Sequence, residues 1–346
     1  MSLNLVKPTK LKAGGTAMTV SLSWGAAGSI PWRFKTGVKQ FEESFGLKVV
    51  PAANSNKPAD WIYRNPKARA EDLMQAFSDP EVSLIICNIG GEDSIRILPY
   101  IDLDIIRNNP KVFVGFSDST ISHLANLKAG LVSFYGPSLF AGFAENGGIF
   151  SYLSESFKQV CFSAEPAGII SPNLNGWTNE RLDWFDESLG NIKRTLNPPI
   201  SWRFLQDKGI VTGHLIGGCI EVLEFIKGTQ WFPEDEIWEG AILFFETSEE
   251  KMAPDYFRWM IRNYAASGVL KKINGLLIGR PYDNVYAAEY EENLIKVIRD
   301  EEGLDFPIVT QMDFGHSEPM MTLPIGVMAE INSENKTIRI LESAVS

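Results

Sequence analysis

The sequence predicts an α/β protein with an N-terminal, mostly parallel α/β domain and a smaller α/β C-terminal domain. Along the first half of the chain, short apolar segments alternate with segments of helical periodicity, and the same alternation starts again after residue 205. The chain has 346 residues, enough for about two domains of ordinary size.

The first half contains four predicted strands separated by helices. The strand-like segments are residues 19–23, 47–50, 82–87 and 112–114. Apolar side chains recur at helical spacing over residues 34–45, and Gly46 follows where a helix would end. A second helical pattern covers residues 70–77. Because the 82–87 segment is apolar almost throughout, we expect a strand that is covered on both faces.

The second half repeats this alternation after a different kind of segment. Residues 161–205 are rich in Pro, Asn and Gly and predict a linker or long loop. The strand-like segments that follow are 210–216, 241–245, 275–278 and 308–309, with helical patterns around 220–226, 257–264 and 294–298. The segments 327–331 and 337–341 flank a polar turn and predict a hairpin. We therefore expect domains at 1–165 and 206–346, joined by 166–205.

Composition excludes several classes of function. The formal net charge of −11, with no basic run, disfavours a nucleic-acid partner, because binding to nucleic acid depends on contacts to phosphates. The three cysteines, Cys87, Cys161 and Cys219, are far apart and form no zinc motif, so we expect buried thiols. No two of the three histidines are close in sequence, so we expect no metal site, and we expect no cofactor. No apolar run reaches the roughly 20 residues that span a bilayer, and the start of the chain does not resemble a signal peptide. We expect a cytoplasmic protein without a membrane partner.

The strongest local motif surrounds Ser117. A predicted strand ends at Val114, Gly115-Phe116-Ser117-Asp118 follows, and a helical pattern begins near Ile121. This order is typical of a nucleophile elbow, which exposes a serine hydroxyl at the end of a strand. The second glycine of the usual motif is absent, because Ser119 occupies its position. A simple helix N-cap at Ser117 or Asp118 explains the local pattern equally well.

A serine nucleophile needs a base and an acid that orients the base. The chain has three histidines. His123 falls inside a predicted helix and His214 inside a predicted strand, whereas His316 lies in a loop after a strand, where catalytic side chains collect. Glu246 directly follows five apolar residues, where an unpaired carboxylate is costly to bury, so it is the candidate acid. A solvent-facing strand end is the alternative for Glu246.

Two further features suggest ligand contacts. Trp177 and Trp184 lie in the polar 166–205 segment, where they either pack against the domain or contact a ligand. The turn Gly25-Ala26-Ala27-Gly28 follows the first strand but lacks the residues of a P-loop or a dinucleotide fingerprint. We interpret it as a tight turn that helps to shape a cleft. If the turn binds a nucleotide, the alternative function is that of a nucleotide-dependent transferase.

An ordered set of motifs resembles the serine LD-carboxypeptidase family, and within it the microcin C immunity peptidases. The resemblance covers nearly the whole chain. The motifs are Arg69-Ala70-Glu71-Asp72-Leu73 with Ala76-Phe77, Gly90-Gly91-Glu92-Asp93, Gly115 to Thr120, Tyr135-Gly136-Pro137, Gly217-Gly218, Leu243-Phe244-Phe245-Glu246 and Gly315-His316.

The resemblance implies a catalytic triad of Ser117, His316 and Glu246. It places the oxyanion donors on the backbone N–H groups of Asp118 and of a glycine in the Gly90-Gly91 turn, most simply Gly91. It also implies a flavodoxin-like or glutamine-amidotransferase-like N-terminal domain, a site between the two domains, and a homodimer.

The predicted activity is that of a serine carboxypeptidase or amidase. In the immunity branch a tryptophan stacks on the nucleobase of the substrate, so the long segment with Trp177 and Trp184 favours a peptidyl or aminoacyl nucleotide such as processed microcin C. Removal of the terminal D-alanine from a murein tetrapeptide is the alternative substrate. Outside the enzymes, a catalytically silent binding protein is the alternative.

Overall fold

A computed structural model describes residues 3–346 and confirms the predicted α/β class, with two β-sheets and helices packed on them. The strands are β1 (Thr16–Val20), β2 (Lys48–Pro51), β3 (Val82–Cys87), β4 (Val112–Gly115), β5 (Ser133–Tyr135), β6 (Gly168–Ile170), β7 (Arg203–Gln206), β8 (Ile210–Cys219), β9 (Ile242–Glu246), β10 (Gly275–Gly279), β11 (Ile308–Met312), β12 (Leu323–Ile325), β13 (Met328–Asn332) and β14 (Thr337–Ile340).

The helices are α1 (Ala26–Ser29), α2 (Pro31–Phe45), α3 (Ala59–Arg64), α4 (Pro66–Ser78), α5 (Leu103–Asn108), α6 (Thr120–Ala129), α7 (Ser151–Cys161), α8 (Ile220–Ile226), α9 (Asp235–Trp238), α10 (Pro254–Ala266), α11 (Val269–Lys272) and α12 (Ala287–Leu294), which continues as a π-helical turn over Ile295–Glu301. Short 3₁₀ turns occur at Ser94–Tyr100, Ser117–Ser119, Glu187–Leu189 and Tyr282–Asn284. In this described part of the chain, no helix has the length and hydrophobicity to cross a bilayer.

The first sheet has the strand order β12-β5-β4-β3-β1-β2. Strands β1 to β5 pair in parallel, whereas β12 pairs antiparallel with β5. The parallel strands end at one edge of the sheet, and the loops that follow β3 and β4 carry the Gly90-Gly91 turn and Ser117. The topology therefore brings these two motifs to the same edge.

Strand β3 shows why this sheet needs an almost continuous apolar sequence. Leu84 and Ile86 point into one hydrophobic cluster together with helix α2, and Ile85 and Cys87 point into a second cluster together with α4. Successive side chains of a strand face opposite sides of the sheet. Both sides are covered, as the sequence predicts, and a polar residue at any of these four positions would be buried.

Helix α2 follows its predicted pattern closely. It ends at Phe45, and Gly46 adopts a left-handed conformation with a φ of 69° while its N–H bonds to the carbonyl of Glu42. A glycine takes up this conformation without steric cost, which explains the end of the helix. Phe41 and Phe45 are buried and pack against Phe143 and Phe157.

The second sheet has the strand order β6-β14-β13-β8-β9-β10-β11-β7. Its centre, β8 to β11, is parallel, and its outer pairings are antiparallel. The predicted hairpin is formed by β13 and β14. All five residues of β9 are buried, so Glu246 at its end is not a solvent-facing residue.

The two halves of the chain share strands in a way that the sequence pattern does not predict. Segment 166–205 contains β6 and the start of β7, which pair with β14 and β11 of the second sheet. Strand β12, from the C-terminal part, belongs to the first sheet. These strands have three or four residues, too few for a periodic signal, and each pairs with a strand far away in sequence. The division at residues 165 and 205 stays a prediction.

Candidate active site

Ser117 lies at the first position after Phe116, between β4 and α6, with a φ of +61°. A non-glycine residue in this left-handed region is uncommon and usually marks a constrained site. Two hydrogen bonds hold the turn: the Ser117 N–H donates to Tyr135 Oη at 3.1 Å, and Thr120 Oγ1 donates to the Ser117 carbonyl at 2.7 Å. The local geometry is that of a nucleophile elbow, so Ser117 is not a simple N-cap.

Three of the predicted residues meet across the two sheets. His316 Nε2 lies 3.0 Å from Ser117 Oγ, and His316 Nδ1 lies 2.5 Å from Glu246 Oε2. The three side chains form a hydrogen-bonded chain although they are widely separated in sequence. A serine, an imidazole and a carboxylate in this order are arranged for proton transfer from the hydroxyl to the imidazole.

Gly315 allows the histidine loop to approach the acid. A Cβ on Gly315, whose φ is +94°, would lie 2.3 Å from Glu246 Cγ. Any larger residue at this position would push the loop away from β9. This close approach explains why glycine precedes His316. The ring of Phe116 packs edge-on against the imidazole.

The Glu246 carboxylate is fully buried and has a partner on each oxygen. Oε1 accepts from Tyr135 Oη at 2.5 Å, and Oε2 faces His316. Burial lowers the pKa of His316, but the negative charges of Glu246, Glu249 and Glu221 outweigh this effect and raise it to about 9. The site therefore stabilises the imidazolium ion that forms when His316 accepts a proton.

The Gly90-Gly91 turn lies directly against the elbow. A Cβ on Gly90 would be 3.1 Å from Ser117 Oγ and 3.3 Å from the backbone nitrogen of Asp118, and a Cβ on Gly91 would overlap Ser23 Oγ. Gly90, Gly91 and Ser117 line the same cavity. The turn thus presents backbone beside the hydroxyl, as an oxyanion site requires.

Other motif residues support this turn rather than contact the cavity. Arg69 is buried and donates to Asp93 Oδ1 and to the carbonyl of Leu22, each at 2.8 Å. The carboxyl group of Asp118 accepts from the Ser94 N–H at 2.8 Å, and burial raises its pKa. These bonds connect the turn to the segment after β1 and to the elbow.

A cavity of about 640 Å³ opens in front of Ser117. Trp184 lines it and contacts the ring of Phe140 and the Arg33 guanidinium, which lies 4.5 Å from the indole centroid. Trp177 does not line this cavity: it is 8% exposed and its backbone pairs with Asn197. Of the two predicted tryptophans, the structure brings Trp184 alone to the cavity.

A charged cluster forms part of the cavity wall, to which it contributes Arg33, Arg194 and Glu318. Arg194 bonds to the carboxylates of Glu145 and Glu318. Burial and the neighbouring Glu318 raise the pKa of Glu145 to about 7, although Arg194 acts in the opposite direction. Burial lowers the pKa of Arg33 to about 10. Sequence patterns did not single out these residues, because their pairing depends on contacts between distant segments.

The remaining predicted candidates have structural surroundings. His123 bonds to Ser133 Oγ and to the Gly115 carbonyl, each at 2.9 Å, and burial lowers its pKa to about 4. His214 bonds to the Gly326 carbonyl at 2.9 Å. Gly25 and Gly28 pack against the backbone around α3, where a Cβ would overlap. Among residues 3–346, no group of His, Cys, Asp and Glu is arranged to hold a metal ion.

Sequence reasoning missed two residues close to the triad. Tyr135 lies in the Tyr135-Gly136-Pro137 motif, which does not by itself indicate a role for the hydroxyl, and Glu249 lies in no motif. Glu249 Oε2 is 3.3 Å from His316 Nε2. A carboxylate three residues after Glu246 is the one sequence signal that could have pointed to it.

Comparisons with known proteins identify the family of this chain. A family model of the LD-carboxypeptidase N-terminal domain matches residues 18–136, and one of the LD-carboxypeptidase C-terminal domain matches residues 212–331. The microcin C7 self-immunity protein MccF of Escherichia coli is 30% identical over 341 residues, which cover 97% of this chain and 96% of that protein. A probable murein peptide carboxypeptidase of Bacillus subtilis is 27% identical, with 100% of this chain and 97% of that protein covered.

Solved structures share the fold over almost the full length. An MccF-like protein from Streptococcus pneumoniae in complex with AMP superposes with a TM-score of 0.87 and 33% identity, covering 94% of this chain and 98% of the other. MccF in complex with aspartyl sulfamoyl adenosine superposes with a TM-score of 0.86 and 27% identity, covering 99% of this chain and 100% of the other. The chain therefore belongs to the LD-carboxypeptidase family of peptidases, as its ordered motifs predict.

Proposed function

We propose that this protein is a serine peptidase of the amidase type that cleaves the amide bond of aminoacyl or peptidyl nucleotides. The observation that carries the proposal is the hydrogen-bonded chain from Ser117 through His316 to Glu246 at the wall of a cavity that also contains Trp184. The relationship to MccF, a microcin C7 self-immunity protein, supports the same activity.

In the proposed mechanism, His316 Nε2 accepts the proton of Ser117 Oγ, and the oxygen attacks the substrate carbonyl. Glu246 fixes the tautomer of the imidazole and stabilises its charged form. The N–H groups of Asp118 and Gly91 donate to the oxyanion, each lowering the barrier by about 3 kcal/mol. His316 then protonates the leaving amine, and water hydrolyses the acyl-enzyme.

Trp184 supplies the surface for the nucleobase. The Phe140 ring and the Arg33 guanidinium fix the indole beside the cavity. Stacking of a base on an aromatic side chain contributes about 1–3 kcal/mol. The S. pneumoniae relative was solved in complex with AMP, which supports a nucleotide as part of the substrate.

Murein tetrapeptide is the second candidate substrate, supported by the relationship to the probable murein peptide carboxypeptidase of B. subtilis. The same triad would release its terminal D-alanine. The family resemblance further supports a homodimer that acts in the cytoplasm, which sedimentation and cell fractionation would test.

The deciding experiment incubates the purified protein with aspartyl sulfamoyl adenosine and, separately, with the murein tetrapeptide, and reads the products by mass spectrometry. Ser117→Ala is the inactive variant. Ser122→Ala, which removes a buried hydroxyl one turn further along α6, is the matched control and keeps full activity. Cleavage of the adenosine compound supports the proposal, and cleavage of the tetrapeptide alone replaces it with the murein activity.

The same preparation tests the alternative that this protein binds a ligand without catalysing a reaction. A fluorophosphonate probe labels an activated serine, so we expect labelling of the wild-type protein and none of Ser117→Ala. A wild-type protein that neither reacts with the probe nor cleaves either substrate would refute the proposed activity.

A further inference from the structure

Glu249 is a carboxylate at the site that takes no part in the proposed triad. It lies in the loop after β9 and lines the cavity, with Oε2 3.3 Å from His316 Nε2. This is the nitrogen that faces Ser117 Oγ at 3.0 Å. The carboxylate is therefore next to the position where the scissile bond of a substrate must lie.

His316 neutralises the charge of Glu249 only while its imidazole is protonated, and once the imidazole is the neutral base the protein neutralises this carboxylate poorly. In the described part of the chain, its remaining cationic neighbour is Arg181 at 3.7 Å, whose side chain is 76% exposed. An exposed pair at this distance is weak and is screened by salt. The other cavity cations are engaged elsewhere: Arg33 stacks on Trp184, and Arg194 bonds to two glutamates. The catalytic end of the cavity thus carries an available carboxylate.

The orientation of a substrate follows from this charge, if the proposed function holds. A nucleotide leaving group has an anionic phosphoryl or sulfamoyl group beside the scissile nitrogen, which Glu249 repels. The acyl part of the substrate is the part that can face Glu249 favourably. We propose that Glu249 is a specificity-determining residue that binds a cationic group, an ammonium or a guanidinium, on the acyl part of the substrate.

Two sources can supply this cation. A free aminoacyl group carries an α-ammonium on the carbon next to the scissile carbonyl, and a basic side chain carries an ammonium or guanidinium further away. A carboxylate binds either through charge-assisted hydrogen bonds. The substrate class is therefore an aminoacyl or peptidyl nucleotide with a positive charge on its acyl part.

The same contact connects the substrate charge to the base. The groups that face the imidazole of His316 are Ser117 and Phe116 on the elbow, Glu246 on β9, Glu249 in the following loop and, further away, Glu221 on α8. The carboxylates hold the pKa of His316 at about 9. A cation bound to Glu249 offsets one of these charges, so the pKa falls and more imidazole is present as the base at neutral pH.

The test compares four sulfamoyl adenosine compounds at pH 7. Alanyl and N-acetylalanyl compounds differ in the α-ammonium, and N-acetyllysyl and N-acetylnorleucyl compounds differ in the side-chain ammonium. The proteins are wild type, Glu249→Gln and Glu250→Gln. Glu250 is the matched control, because it is exposed, adjacent in sequence and not part of the cavity lining.

We expect the wild-type protein to cleave the cationic member of at least one pair with a kcat/KM about tenfold above its neutral partner. Glu249→Gln abolishes this preference, and it raises kcat/KM for the neutral compounds because the pKa of His316 falls. Loss on one substrate and gain on another is a pattern that simple destabilisation does not produce. The pair that shows the preference identifies the source of the cation.

A Glu249→Gln protein that keeps the wild-type preference overturns the inference while the proposed function stands, because the compounds are still cleaved. An equal effect of Glu250→Gln also overturns it, since overall charge would then be responsible. If the wild-type protein cleaves none of the four compounds, the proposed function fails and the inference fails with it.

Discussion

Tyr135 is expected to support both the nucleophile and the acid, and Tyr135→Phe tests this. The Tyr135 hydroxyl is fully buried, donates to Glu246 Oε1 at 2.5 Å and accepts from the Ser117 N–H at 3.1 Å. Removing the Tyr135 hydroxyl leaves the Ser117 N–H and Glu246 Oε1 buried without this hydrogen-bond partner. Each such group costs about 1–3 kcal/mol, so we expect the free energy of unfolding to fall by about 3 kcal/mol.

The effect on activity is expected mainly in kcat. Ser117 holds a φ of +61° against its own preference, and Glu246 would keep a single partner, so both side chains gain freedom at the triad. A displacement of about 1 Å at reacting groups can cost about a hundredfold in rate. We expect kcat to fall tenfold to about a hundredfold and KM to stay nearly constant, because Tyr135 does not line the cavity.

Denaturant unfolding and steady-state kinetics measure the two effects. Tyr290→Phe is the matched control, because its buried hydroxyl donates to the Met252 carbonyl at 2.5 Å, away from Ser117. It should lose about 1 kcal/mol of stability and keep its kcat. Wild-type kcat in Tyr135→Phe, or an equal loss of kcat in Tyr290→Phe, would refute the reasoning.

Three further outcomes are expected. Gly90→Ala places a Cβ 3.1 Å from Ser117 Oγ, so kcat and fluorophosphonate labelling should both fall about a hundredfold, whereas unchanged labelling would contradict this. Trp184→Ala should raise KM for an adenosine substrate about tenfold to a hundredfold and leave KM for the tetrapeptide unchanged. The pKa of His316, about 9 against 6.5 for an unperturbed histidine, predicts that kcat/KM for an uncharged ester rises with pH up to about 9. It also predicts that the stabilisation by the protonated imidazole is complete below about pH 6.5 and is lost towards pH 9, so the melting temperatures of wild type and His316→Gln should converge across this range.

The elements that create the triad could be predicted because each has a local signal. The strand before Ser117, the helix after it and the run of apolar residues before Glu246 follow from periodicity alone. Scarcity of histidine then left His316 as the candidate base, and the family resemblance selected the same three residues. The structure brings these three side chains within hydrogen-bonding distance.

The parts that could not be predicted depend on contacts between distant segments. The stacking of Arg33 on Trp184, the two hydrogen bonds of Tyr135 and the position of Glu249 leave no periodic pattern in the sequence. The choice between Trp177 and Trp184 depends on where the 166–205 segment pairs with the rest of the chain, which a polar, proline-rich sequence does not specify.

The loop that carries His316 is anchored in both sheets. It leaves the second sheet at the end of β11 (Met312), and β12, which begins at Leu323, pairs with β5 of the first sheet. A hinge movement that separated the sheets would therefore pull the imidazole away from Ser117. We expect the two sheets to remain together throughout turnover, so that substrate and product pass through the open cavity without a movement of one sheet against the other. The proton-transfer geometry then stays fixed in every step of the cycle.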